Sequence, residues 1–390
     1  MSMLAIHVKN MRPTRIAALA GFYHSIASPV AAGTISVEDR IRGTYFAALV
    51  ADALCLGSHY EYDAPKIAQA YGGNIVKYMA PGEQMGGQTH GIGWGERNYH
   101  PGAVSGDQTD YGEYNVLVLE HLARSAADPR PFDVQEFIPT WQKRLTNDWK
   151  QWICSQTKLT YGQIQQGIPI NKLGGNSNAM ALRYASVFAY YGKEEDVVVA
   201  AKKSMFTHRE HTAIIGCEFF ARVTFRIVHQ QLTPRDAIEA VAAESDHWIQ
   251  SKVQQALEKV REATDPENTL SAEKFVDDLA LTSMARLWEI GKSEPIKVGK
   301  ASPTEGTLPG SIYFIVKYGD SLVEAAKANA MVGGDNASRA IAIGMVLGAH
   351  HGMDAIPKDL KDGLNQWKHS HGLLETLPLL AGDDKSGAEL

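Results

Sequence analysis

Apolar positions first crowd together just after Ser36-Val-Glu-Asp39. A Ser followed three residues later by an acid has the form of a capping box, in which the hydroxyl accepts from a backbone N–H of the first turn. The helix it opens, about 37–55, is apolar on nearly every side and belongs in the middle of a core. Helical spacing returns from about Glu113 to Ser125, where Val116, Leu119, Leu122 and Ala123 recur at helical intervals. The pattern predicts further helices near 132–150, 178–191 and 210–230. Thr233-Pro234-Arg235-Asp236 reads as a start, with Thr capping, Pro in the first turn and an acid at the third position. Its helix is expected to run to about 262, and others over 272–291, 309–317, 320–331 and 336–352. Alternating apolar and polar positions, the mark of a half-buried strand, are nearly absent. The expectation is an all-α chain with one domain over 36–378, an N-terminal extension over 1–35 and a polar tail over 379–390.

Composition narrows the function classes. The chain has 390 residues, 44% hydrophobic and 21% charged, enough to bury a large core without disulfides or a structural metal. A net charge of -6 argues against a nucleic-acid partner, since phosphate binding concentrates Lys and Arg. No apolar run reaches the ~18 residues of a membrane helix, so no membrane partner is expected. The nearest run, Tyr45–Leu56, carries Asp52. Cys55, Cys154 and Cys217 are far apart in apolar surroundings, which reads as buried, inert thiols in a reducing compartment such as the cytoplasm. The first 37 residues hold Lys9, Arg12 and Arg15 but no acid, a transit-peptide-like composition that makes an organellar address the alternative.

The candidate chemistry lies where carboxylates meet helix ends. Asp52 sits inside an apolar helix, where a charge is costly unless partnered, and loop backbone N–H groups are its expected donors. His59, Glu61 and Asp63 follow that helix. Residues 81–112 form a long loop with eight glycines before Gly112, and loops of that length inside helical domains are usually functional. Its end, H-P-G-A-V-S-G-D-Q-T-D-Y-G-E-Y over 100–114, brings His100, Asp107, Thr109, Asp110 and Glu113 to a helix N-terminus. Capping accounts for one acid there, not for the cluster. A third segment, M-V-G-G-D-N-A-S-R-A over 331–340, offers Asp335 or Asn336 as an N-cap. His208 and His211 read as a polar pair at a helix start.

In this order the three segments resemble the ADP-ribosylglycohydrolase superfamily over about residues 40–357. The carriers are A-D-A-L in the first helix, the T-D turn before the second and the late G-G-D loop. G-G-N-S-N-A-M over 174–180 and Thr207-His208 are similar to two further family elements. The resemblance implies a compact orthogonal bundle of helices. In detail the motifs look most like the branch that holds the jellyfish J-type crystallins and selenoprotein J. The family's hydrolases hold two magnesium ions with paired carboxylates and threonines. By position Thr109, Asp110 and Asp335 match those ligands and Ser338 replaces a threonine, while Tyr111 and Ala337 stand where second carboxylates belong. The implied metal ligands are therefore Thr109, Asp110, Asp335 and Ser338, with at most one Mg2+ expected. Gly106, Tyr111, Gly333, Gly334 and Asn336 would face the substrate. Glu61 or Asp107 is the expected general base, with His100 or His59 as acid or orienting group. Asp52, His100, Asp107, Thr109, Asp110 and Asp335 should share one cleft, with Glu61 at its rim. The function implied is hydrolysis of an N- or O-glycosidic bond, releasing ADP-ribose from a modified protein or small molecule. The alternative is a non-enzymatic crystallin-like or ligand-binding protein that kept the fold and lost the two-metal site.

Overall fold

Ser36 opens the first helix as its pattern predicts, its hydroxyl accepting from the Asp39 N–H at 3.1 Å. The computed structural model describes residues 35–92, 94–287 and 296–382. The extension expected over 1–35 and the end of the tail, 383–390, thus fall outside the described residues except for Ile35. The helices are α1 (Val37–Cys55), α2 (Ala64–Ala70), α3 (Asp110–Ala123), α4 (Val134–Asn147) and α5 (Ser155–Gln165). Then come α6 (Glu194–Ser204), α7 (His211–Gln230), α8 (Pro234–Glu244), α9 (His247–Thr264) and α10 (Val276–Met284). The last are α11 (Thr304–Lys317), α12 (Leu322–Val332), α13 (Asn336–His351), α14 (Lys358–Gly363) and α15 (Trp367–Leu374). Among the described residues strand is confined to two short antiparallel pairs. One joins β1 (Thr89–Gly91) to β2 (Gly95–Arg97), with Thr89 opposite Arg97, and the other joins β3 (Arg286–Leu287) to β4 (Ile296–Lys297). The fold is all-α among the described residues. No described helix is long and apolar enough to cross a membrane.

Two helices form the centre. Every residue of α1 from Gly43 to Cys55 and of α13 from Asn336 to Ala349 is buried. They cross through small residues: a Cβ on Gly348 would lie 2.1 Å from the Gly43 carbonyl oxygen, and one on Gly344 2.4 Å from that of Ala47. The helices run antiparallel, so the end of α1 reaches the start of α13, where the Cys55 thiol meets the Asn336 carbonyl. Asp52, in the last turns of α1, holds the start of α3 by accepting from the Thr109 N–H at 2.8 Å and the Thr109 hydroxyl at 2.6 Å. Three helix ends from distant parts of the chain thereby meet.

Several predicted elements differ. The segment 178–191 is not a helix but extended backbone with a short 3-10 turn at Val187–Ala189. Its N–H and C=O groups are taken by partners far along the chain: Ser302 O holds the Met180 N–H, and the Asn115 side chain holds Ala185 N and Leu182 O. The helix expected over 234–262 is two, because Ser245 is extended (ψ 172) and Asp246 caps a new start on the Ile249 N–H. The one expected over 272–291 ends at Met284 before β3, with 288–291 outside the described residues. Helices α2, α5, α6, α14 and α15 were not predicted. The packed domain also runs past 378, since Leu380 is buried and the Leu379 N–H reaches Ala189 O.

Candidate active site

The meeting of α1, α3 and α13 is stitched by polar contacts in a fully buried setting. Thr109 caps α3, and its whole donor capacity goes to Asp52. Gln108, with its amide nitrogen turned inward, gives Asp52 Oδ2 a further donor at 3.1 Å. Burial pushes the Asp52 carboxyl up to about 7 against these hydrogen bonds. Asp335 caps α13 through Oδ1 and the Ser338 N–H at 3.4 Å, while its Oδ2 accepts from the Tyr111 hydroxyl at 2.8 Å. Burial raises its carboxyl to about 6, with Tyr111 opposing. The loop after α1 is knit to the G-G-D turn: Tyr60 N donates to Gly334 O at 2.8 Å and Gly334 N to Glu61 O at 2.6 Å. Gly333 has φ 71, and a Cβ there would stand 2.2 Å from Glu61 O, so that close approach requires glycine.

Behind the first turn of α3 lie three polar atoms with no hydrogen-bond partner: His59 Nε2, His100 Nε2 and Asp110 Oδ1. All are buried; the three residues each bring a ligand atom within 4.8 Å of the others, and His59 Nε2 lies 3.9 Å from Asp110 Oδ1. Their neighbours fix the sense of each. Asn336 spends its amide nitrogen on Ser58 Oγ and Ala330 O, so its Oδ1 accepts from the His59 Nδ1–H at 3.1 Å. His59 Nε2 is then a lone pair. His100 Nδ1 accepts from the Trp152 N–H at 3.2 Å, which places the proton of the neutral ring on Nε2. Both rings stay neutral: burial pushes His59 down to about 3, and burial followed by the neighbouring His59 pushes His100 far down. Burial, then Asp335 and Asp52, raises the Asp110 carboxyl well above the usual range. The niche thus combines one N–H donor, one nitrogen acceptor and one proton-accepting carboxylate.

Asp110 faces a cavity of about 390 Å³, a size that takes a small molecule. Tyr60, Tyr99, Trp94 and Trp152 make an aromatic wall, with Trp152 edge-on to the other three at ring distances of 5.2 to 6.4 Å. Trp94 and Ile92 stand exposed at the β1–β2 turn. Tyr111, Cys154, Arg183, His208, Asp278 and Lys300 are among the polar lining residues.

The profile described as ADP-ribosylglycohydrolase matches residues 33–387. The chain belongs to the ADP-ribosylglycohydrolase family. A solved structure titled "ADP-ribosylglycohydrolase-related protein complex" shares the fold at a TM-score of 0.56 and 17% identity, covering 89% of this chain and 99% of that one. No curated protein matches it in sequence. These comparisons reach the family and not a branch within it, so the crystallin-like motifs remain a resemblance.

Membership in the ADP-ribosylglycohydrolase family implies magnesium, and the residues present do not fit a pair of ions. Of the ligand set Thr109, Asp110, Asp335 and Ser338, only Asp110 has a side-chain oxygen that makes no hydrogen bond, and Tyr111 and Ala337 leave each loop one carboxylate short of a two-ion site. Thr109 Oγ1 donates to Asp52, Ser338 Oγ donates to Asp335 O at 2.9 Å, and Tyr111 occupies Asp335 Oδ2. The remaining free atoms add two imidazoles, a poor match to the oxygen shell magnesium demands, and His100 Nε2 carries a proton rather than a lone pair.

The other sequence-predicted residues divide as follows. His59, His100 and Asp110 come together, and Tyr111 joins Asp110 on the cavity. Glu61 and Asp107 are not on it. Glu61 accepts from Tyr62 N, Asp63 N, His90 N and Lys66 Nζ, so its carboxylate clamps a loop. Asp107 accepts from Val104 N and Asn365 Nδ2. Gly106 packs on Gly363 O, and Asn336 serves His59 rather than the cavity. Arg339 holds the Gly333 carbonyl at 2.6 Å. His208 and His211 are not a pair at a helix start: His211 begins α7, whereas His208 lies ahead of it, buried, and lines the cavity. Cys154 is not fully buried: it caps α5 at the cavity wall, 3.7 Å from His208 Nε2. Trp152, Trp94, Arg183 and Lys300 carry no motif; the hints at that lining were the two resemblances over 174–180, which supplies Ser177 and Ala179, and at Thr207-His208.

Proposed function

We propose that this protein hydrolyses a glycosidic bond with a water held between His59, His100 and Asp110, and that no metal ion takes part. The observation that carries the reading is the set of three partnerless atoms with matched donor and acceptor sense. One water there accepts from His100 Nε2–H and donates to His59 Nε2 and Asp110 Oδ1, the usual three bonds of a buried water. Ionised Asp110 is the general base, because a carboxylate with a raised pKa is the more basic acceptor and His59 is too weak a base to compete. As the water oxygen bonds to the anomeric carbon, its proton passes to Asp110 Oδ1 and the leaving group departs with the bonding pair. Negative charge at Asp110 also favours the oxocarbenium character of the transition state. The family makes an ADP-ribosyl conjugate of a protein or small molecule the first substrate class to examine, and the aromatic wall suits a stacked ring.

The test is release of ADP-ribose from arginine- and serine-linked conjugates, with and without chelator. Turnover should survive chelation and fall about 10²–10⁴-fold in Asp110→Asn, the usual worth of a positioned base. A folded protein that turns over none of the conjugates would return the binding-protein reading.

A further inference from the structure

The cavity holds two cations, and their circumstances differ. Lys300 is used: Nζ donates to Asp278 Oδ1 at 2.5 Å, Tyr62 O at 2.6 Å and Val332 O at 3.2 Å. Arg183 is 4% exposed and makes one hydrogen bond, from Nη1 to Thr207 Oγ1 at 2.6 Å. Its guanidinium lies 3.8 Å over the Tyr114 ring, and its buried Nε has no partner. Among the described residues no carboxylate reaches ion-pair distance of it. A guanidinium has five N–H donors in a planar fork, and a buried one without an anion is costly.

The groups beside it are donors as well. Arg183 can only donate to Thr207, so the Thr207 proton is free to go to His208 Nδ1, 2.8 Å away. That leaves the His208 proton on Nε2, toward Cys154. Burial, then Arg183, keeps the His208 ring neutral. The first residues of the eleven-residue helix α5, Ser155 and Gln156, line the same end, so the positive helix terminus stands there. The cavity is therefore polarised: proton acceptors gather at Asp110 and donors at Arg183.

We propose that Arg183 and the α5 N-terminus form a docking site for an oxyanion of the bound molecule, a phosphate ester or a carboxylate. The proposal concerns binding and stands whether or not the hydrolytic reading does. The anion would add a counter-charge at contact distance to the longer-range attraction of Asp110, take the guanidinium at Nη2, which has no hydrogen-bond partner, and set which end of a ligand faces Asp110.

The experiment is calorimetric titration of the full chain with inorganic phosphate and, separately, acetate, at constant ionic strength, with melting curves alongside. Saturable binding of one of them to the unmodified chain is expected; phosphate alone identifies a phosphate ester, acetate alone a carboxylate. Arg183→Met, similar in length and uncharged, should weaken that binding about tenfold or more while melting no lower in anion-free buffer. If Arg183→Met does not fold, Arg183→Lys decides: it keeps the charge, loses the fork, and should weaken binding several-fold. Absence of saturable binding by either anion, or affinity unchanged in the folded variant, would overturn the proposal.

Discussion

Tyr111→Phe removes the hydroxyl that donates to Asp335 Oδ2 and changes nothing else in the covalent structure. The partner it strands is a carboxylate with no solvent exposure, whose remaining side-chain contact is the Ser338 N–H at 3.4 Å. A hydrogen bond to a charged group is worth about 1.5–3 kcal/mol and one to a neutral group about 0.5–1.5 kcal/mol. The difference favours the ionised form, and at ~1.36 kcal/mol per unit its loss lifts the Asp335 pKa by about one unit beyond the value near 6 that burial already sets. In the unfolded chain the group titrates near ~3.9 in both proteins. Between that point and the folded pKa the native state holds a proton that the unfolded state has lost, so stability falls as pH rises in both, and falls further in the variant. Urea denaturation should give a deficit of about 1 kcal/mol at pH 5, where Asp335 is protonated in both, growing to about 2–3 kcal/mol at pH 8. A deficit equal at the two pH values, or a variant more stable than the parent, would refute the reasoning.

Other consequences follow from the same contacts. Gly348→Ala puts a Cβ against the Gly43 carbonyl at 2.1 Å, backbone that cannot swing aside, and thermal unfolding should show a loss of about 1–3 kcal/mol. Turnover should rise with pH as Asp110 ionises, with its midpoint above the ordinary carboxylate range, and Asp110→Asn should lose that limb in a pH–rate profile. Iodoacetamide on the native protein, read by peptide mass spectrometry, should mark Cys154 at the cavity and spare Cys55 and Cys217 until the chain is unfolded.

Much of the fold is legible because its centre is built from extreme patterns. A helix apolar on every side, α1, could only be central, and the Ser36 and Thr233 caps follow from local chemistry alone. The role of Asp52 was readable for the same reason, since a buried carboxylate beside a loop needs donors. The segment 178–191 misleads because its apolar density reflects burial on all sides, while its backbone partners, Asn115 and Ser302, lie far along the chain. In the site, His59, His100 and Asp110 stand out as residue types near a helix start. Their chemistry depends on the Trp152 N–H and the Asn336 amide, which determine where each imidazole proton sits. Glu61 and Asp107 looked equally available in sequence, which does not reveal that backbone N–H groups and neighbouring side chains already hold both carboxylates. Arg183 and the tryptophans meet the site only through tertiary packing.

The central claim is that the niche between His59 Nε2, His100 Nε2 and Asp110 Oδ1 holds a water and not an ion. A high-resolution crystal structure grown in millimolar magnesium tests it most directly. The account predicts a single peak at hydrogen-bonding distances of about 2.7–3.2 Å from the three atoms, with Tyr111 still bonded to Asp335. A peak at about 2.0–2.2 Å from Asp110 with further oxygen ligands around it, or a pair of such peaks bridging Asp110 and Asp335, would contradict it.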